Sequence, residues 1–285
     1  MNRKNCFSAK TLLLSVLTAT LAGCISQIGA ETAARAVFLF GLPCAAALAL
    51  LSAVLAQIEQ AGQLFSGRGA VSKAVCAGFA LWFAAELLET ARQAQQVCWQ
   101  QFASMAVLGL VPVLVWLGWK MNGSALDHTA RVLWWLAALG ALVCVLGLSG
   151  QMRWQRLLEG AYGLHKLRLP VLPLYAEYFA LPLLCDAKTR RGCALLPLGS
   201  FLLQGGFALG MELLFGPLDG SGYTGYELLR AWTMGAFSRL DALLVLIWLT
   251  AALYRICFLS SVLHCLAQRL GVCPTAKPKK GEGAA

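Results

Sequence analysis

Pro170-Val-Leu-Pro173-Leu-Tyr175-Ala-Glu177-Tyr178-Phe179-Ala-Leu-Pro182-Leu-Leu-Cys185-Asp186 has the length of a membrane crossing but not its usual content. It carries three prolines and, near its middle, one carboxylate. Proline inside a helix removes a backbone hydrogen bond and crowds the preceding turn. In a bilayer the freed carbonyls need other partners, so a broken span must face protein or a wet cavity. An ionisable group at mid-depth is costly and points to function. Discontinuous helices with polar groups near the midplane are how many transporters build their sites. The plainer reading is a proline-kinked packing helix with a half-exposed Glu177.

The surrounding chain supports a membrane setting. Its 285 residues are 59% hydrophobic and 13% charged, with mean hydropathy +0.69. A soluble chain is about one quarter charged. Several apolar runs reach the roughly 20 residues that a spanning helix needs. The formal net charge of +10 sits in short loops and tails. There it reports topology and anionic lipid heads, and no nucleic-acid partner is expected. The cysteines are Cys6, Cys24, Cys44, Cys76, Cys98, Cys144, Cys185, Cys193, Cys257, Cys265 and Cys273, with no CxxC pair. His128, His165 and His264 are far apart, so no zinc constellation is expected. Most of the cysteines read as small hydrophobes.

The expected architecture is all-α and polytopic. Eight spans are read at about 11–30, 36–57, 74–98, 102–120, 130–150, 170–186, 193–216 and 237–266. They form one membrane domain, 11–268, between a ten-residue N-terminus and a disordered basic tail, 269–285. The first span ends in weakly apolar residues, Gly23, Ser26, Gln27 and Gly29, which favour unwinding. The same run can be read as a lipoprotein signal, because Leu21-Ala22-Gly23-Cys24 follows basic residues. The third span holds Glu86, Glu89 and Arg92, read as sharing one face that avoids lipid. The alternative for Glu89 and Arg92 is a mutual pair at a helix end. The last span opens with Arg239 and Asp241, contains Arg255, and exceeds the bilayer core. Eight spans put both termini on one side, which the positive-inside rule makes cytoplasmic. The basic, aromatic segment Gln151–Leu169 then falls outside, against that rule, and reads as an interfacial helix.

At Tyr175–Asp186 and Phe237–Trp248 the chain resembles the spore germination permeases, the B subunits of GerA-type germinant receptors. The shared features are Glu177 in a broken helix, the basic loop Lys188-Thr189-Arg190-Arg191, and a Gly-rich span after it. Arg239-Leu240-Asp241 followed by an apolar run to Trp248 is the best single match. Asn122-Gly123 through Arg131 resembles the family's entry into its fifth helix. The resemblance covers roughly residues 11–268, at few residues per helix. It implies kinship with amino acid–polyamine–organocation transporters, which are two inverted repeats of five spans. Helices 1 and 6 are broken there and meet at the substrate. This chain lacks a ninth and tenth span, so the expected fold is a truncated five-plus-five repeat.

The resemblance also implies a role. In the spore inner membrane, a small germinant such as an amino acid would bind in the pocket and start germination. Gly23, Ser26 and Gly29 would offer backbone to its carboxylate. Glu177, with Glu86 or Asp241, would face its ammonium, and Tyr175 and Tyr178 would wall the site. Pro173, Pro182, Arg239 and Trp248 would be structural. A-type and lipoprotein C-type receptor subunits would be partners. The alternatives are a secondary amino acid or cation transporter of the same fold, or a structural subunit that binds no ligand. No GxSxG, HExxH or P-loop occurs, so neither enzyme activity nor a cofactor is expected.

Overall fold

A computed structural model describes residues 7–26, 37–57, 65, 69–156, 173–185, 192–216 and 240–271. Among them the regular elements are all helical. We number them α1 (Ala9–Ser26), α2 (Val37–Gln57), α3 (Ala70–Phe102), α4 (Ala106–Lys120), α5 (Gly123–Ser149), α6 (Ala176–Phe179), α7 (Leu181–Leu184), α8 (Leu196–Phe215) and α9 (Leu240–Leu270). By length and apolar content, α2, α3, α5, α8 and α9 can each cross a membrane, while α1 and α4 are shorter apolar helices. The chain is therefore a multi-pass membrane protein. Five helices of crossing length, rather than eight, are found among the described residues.

The core forms around α9, whose apolar stretch is two-thirds buried. At 31 residues it is about 46 Å long, more than the bilayer core of about 30 Å. The expected overlength of this span is thus present. Helices α1, α3 and α5 run antiparallel to it. Phe7, Ser15 and Thr18 of the α1 region meet Phe258, Arg255 and Trp248 in turn. Helix α4 runs parallel, from Val107 beside Val245 to Trp119 stacked on His264. The α4–α9 crossing is close because Gly118 has no side chain. A Cβ there would overlap the Cys257 carbonyl oxygen and sit 2.9 Å from the Ser260 Cβ. Small residues are what let helices approach in a membrane, where no hydrophobic force pushes them together.

Local chemistry explains the helix ends and the prolines. Ser8 caps α1, its hydroxyl accepting the Thr11 N–H at 3.3 Å. Asp127 accepts the Ser8 N–H at 3.1 Å and the Thr11 hydroxyl. A carboxylate at a helix N-terminus suits the dipole. Asp127 therefore docks α1 onto α5. Pro43 follows a wide π turn, Val37–Gly41, which absorbs its missing N–H. Pro112 lies inside α4 without ending it.

Residues 173–185 do not form a span. They make two four-residue helices that meet at Ala180, whose φ of −90° and ψ of 12° are not helical. Pro182 starts α7 instead of continuing α6, because only a first turn lacks a use for its N–H. Every residue from Leu181 to Cys185 is buried. The segment's far end is fixed twice. The Leu184 carbonyl accepts the Phe7 N–H at 2.9 Å, and the Cys185 and Cys193 sulfurs lie 3.3 Å apart. The expected break in the sixth element is thus present, as an interior segment rather than a kinked crossing. Helix α1, by contrast, runs unbroken through Gly23 to Ser26. Of the expected interfacial helix only Gln151–Arg156 is described.

Candidate functional site

An ion cluster sits halfway along α3 and α9. Arg255, 1% exposed, pairs its Nη2 with Glu86 Oε2 at 2.7 Å and its Nη1 with Glu177 Oε1 at 2.9 Å. Glu177 is fully buried and Glu86 nearly so. Arg255 Nη1 also donates to the Ser15 carbonyl and to Ser15 Oγ, the latter at 2.8 Å. Its Nε donates to Thr90 Oγ1 at 3.3 Å. The guanidinium thus uses its whole fork, joining α1, α3 and α6 to α9. An unpaired buried charge would be strongly unfavourable, which is why each charge here is hydrogen-bonded.

The chain break completes the cluster. The Ala176 N–H donates to Glu86 Oε1 at 2.7 Å, and Ser15 Oγ donates to Glu177 Oε1 at 3.1 Å. Tyr175 packs its ring under the guanidinium, 5.4 Å from centroid to carbon, and meets Tyr178 edge-on at 5.6 Å. Phe179 packs on Trp82. Two buried polar atoms at the break have no hydrogen-bond partner, Glu177 Oε2 and the Tyr178 hydroxyl. Both are positioned by α6 to face the bundle interior.

The expected site residues are only partly brought together. Glu86, Tyr175, Glu177 and Tyr178 meet as read. Pro182 shapes the break as expected, and Pro173 lies just before it, in irregular backbone. Asp241 does not join them: fourteen positions before Arg255 on one continuous helix, its backbone lies about 21 Å away. Gly23 sits in regular helix eight positions, or about 12 Å, past Ser15. Ser26 ends that helix, so neither belongs to an unwound stretch. Gly29 and Arg239 lie outside the described residues. Trp248 has a packing role: buried, it donates from Nε1 to the Thr18 carbonyl at 3.4 Å.

Glu86, Glu89 and Arg92 do not share one inward face. At 3.6 residues per turn, positions 86 and 92 lie about 120° apart around the axis. Glu86 turns to the core, while Glu89 and Arg92 are exposed and pair through Nε and Oε2 at 3.0 Å. Exposed pairs contribute little. Replacing Glu89 with Gln is expected to leave the melting temperature of the purified protein unchanged, whereas a clear drop would assign the pair a structural role.

The residue that organises the site, Arg255, was visible in the sequence only as one charge inside an apolar run. Thr90 stands four positions after Glu86, on the same face of α3, and that spacing was the available signal. Among the described residues no group of three metal-binding side chains occurs. No family model, curated protein or solved structure matches the chain.

Proposed function

We propose that this chain is the ligand-sensing membrane subunit of a spore germinant receptor, with a truncated five-plus-five transporter-like fold. The observation that carries the reading is the break at Ala176–Leu184, tied to three helices through one buried arginine. A segment with little helix of its own, held by a few charged contacts, can adopt a second arrangement when those contacts change. A small amino-acid-like germinant carries an ammonium group that competes with Arg255 for Glu177, whose Oε2 has no hydrogen-bond partner. Tyr175 and Tyr178 present aromatic faces to such a cation. Partner subunits of the A type and the lipoprotein C type would read the resulting movement in the spore inner membrane, with both termini of this chain cytoplasmic.

Glu177→Gln in the native receptor tests this reading. The substitution keeps the shape and removes the charge. A hydrogen bond to a charged group is worth about 1.5–3 kcal/mol, so the germinant dose-response should move to at least roughly tenfold higher concentration. An unchanged response at normal protein level removes Glu177 from the site. A second reading, a secondary transporter of amino acids or cations, is favoured by the excess of carboxylates at mid-depth. Flux of a labelled amino acid or cation into proteoliposomes containing this chain distinguishes it from a sensor.

A further inference from the structure

Charge counting at the cluster leads to a ligand. Arg255 brings one positive charge to two carboxyl groups. Both are gripped by the same guanidinium, Glu177 through Nη1 and Glu86 through Nη2, so their oxygens are neighbours. Two carboxylates side by side in a dry site cannot both ionise readily. The groups that face them are Ser15 from α1, Thr90 from α3, Tyr175 and Tyr178 from α6, and Arg255 from α9. Among the described residues none of these adds a second positive charge.

The hydrogen bonds satisfy three of the four carboxyl oxygens. Both oxygens of Glu86 accept N–H donors, from Ala176 and from Arg255, as an ionised carboxylate does. Glu177 accepts twice on Oε1 and not at all on Oε2. A buried oxygen without a partner is costly, and a proton between two neighbouring carboxyl groups gives one of them a donor and the other an acceptor. We propose that the Arg255–Glu86–Glu177 cluster is a binding site for one proton, shared by its two carboxyl groups. Binding is simple addition: one carboxylate of the pair plus one proton gives the acid, and no other covalent bond changes. The neutral cluster is the resting form, and a cation that enters takes the place of the proton. The proposal draws on the membrane setting and the geometry, and does not depend on the germinant-receptor reading.

Infrared spectroscopy of the purified full chain in lipid nanodiscs tests it, in water and in deuterium oxide at neutral pH. A protonated carboxylic acid has its own carbonyl-stretch band, which shifts on deuteration. The wild type should show one carboxyl's worth of this band more than Glu177→Gln. Glu86→Gln should lose the same band, because Arg255 and the one remaining carboxylate then balance. Identical bands in the wild type and Glu177→Gln overturn the proposal, as does a full band in Glu86→Gln. If either Gln variant fails to fold, Glu177→Asp keeps a carboxyl in place. Its band should keep its area, since two carboxyl groups still share one arginine, and loss of the band overturns the proposal. Normal germinant sensitivity in Glu177→Gln, with the band lost from that variant, would remove the receptor reading and leave the proton site standing.

Discussion

Arg255→Met is expected to leave almost no folded, monodisperse protein after extraction from the membrane. The side chain is 1% exposed and binds Glu86, Glu177, Ser15 and Thr90 at once. Removing one partner of a buried charge pair costs about 3–5 kcal/mol, because the other partners stay buried without it. Whole-protein stabilities are about 5–15 kcal/mol, so the loss is a large share. Arg255→Lys should recover little, since a single ammonium cannot reach acceptors on three sides. The triple variant Arg255→Met, Glu86→Gln, Glu177→Gln should regain most of the melting temperature, because no charge is left behind. Failure of the triple variant to recover would mean that Arg255 acts through its packing rather than its charge.

Gly118→Ala is the second large effect, and its sign is set by one close approach. The new Cβ would overlap the Cys257 carbonyl oxygen, which is backbone and cannot swing away. Overpacking of this kind costs about 1–3 kcal/mol. Gly109, on the same helix, has nothing within 4 Å of a built Cβ. There the same substitution should help by up to about 1 kcal/mol, since Ala is the better helix former. Thermal melting of the two variants in one detergent should show opposite shifts. A rise for Gly118→Ala would show that the α4–α9 contact does not hold, and a fall for Gly109→Ala would show that its position is not open.

The parts of the site legible in the sequence were those that break a rule locally. Glu86 and Glu177 are carboxylates in apolar runs, and Pro182 interrupts a helix pattern. Each needs only its neighbours to be noticed. Arg255 breaks the same rule, yet its meaning depends on residues 78 and 169 positions earlier, and no local pattern encodes such a pairing. Ser15 and Thr90 are still less visible, because hydroxyls are common in membrane helices and only the arginine gives them a role. The misreadings have a shared cause as well. Weak apolarity at Gly23 and Ser26 suggested unwinding, but α1 stays regular to Ser26, and Ala22 just before them is buried in a cluster with Val97 and Trp248. Asp241 and Glu89 were weighed by residue type, and helix geometry placed them elsewhere: Asp241 four turns from Arg255, Glu89 on the outer face of α3.

The position of Arg255 in the last helix has a consequence for biogenesis. Glu86 and Glu177 leave the ribosome first, and Arg255 follows 78 residues after Glu177. At about 5–20 residues per second, the two acids wait several seconds or more for their counter-ion. The nascent bundle must therefore enter the insertion machinery with its acids neutralised by other means, and closure waits for α9. A chain truncated before that helix would stay open in the membrane, exposed to the quality-control proteases that clear unfinished bundles.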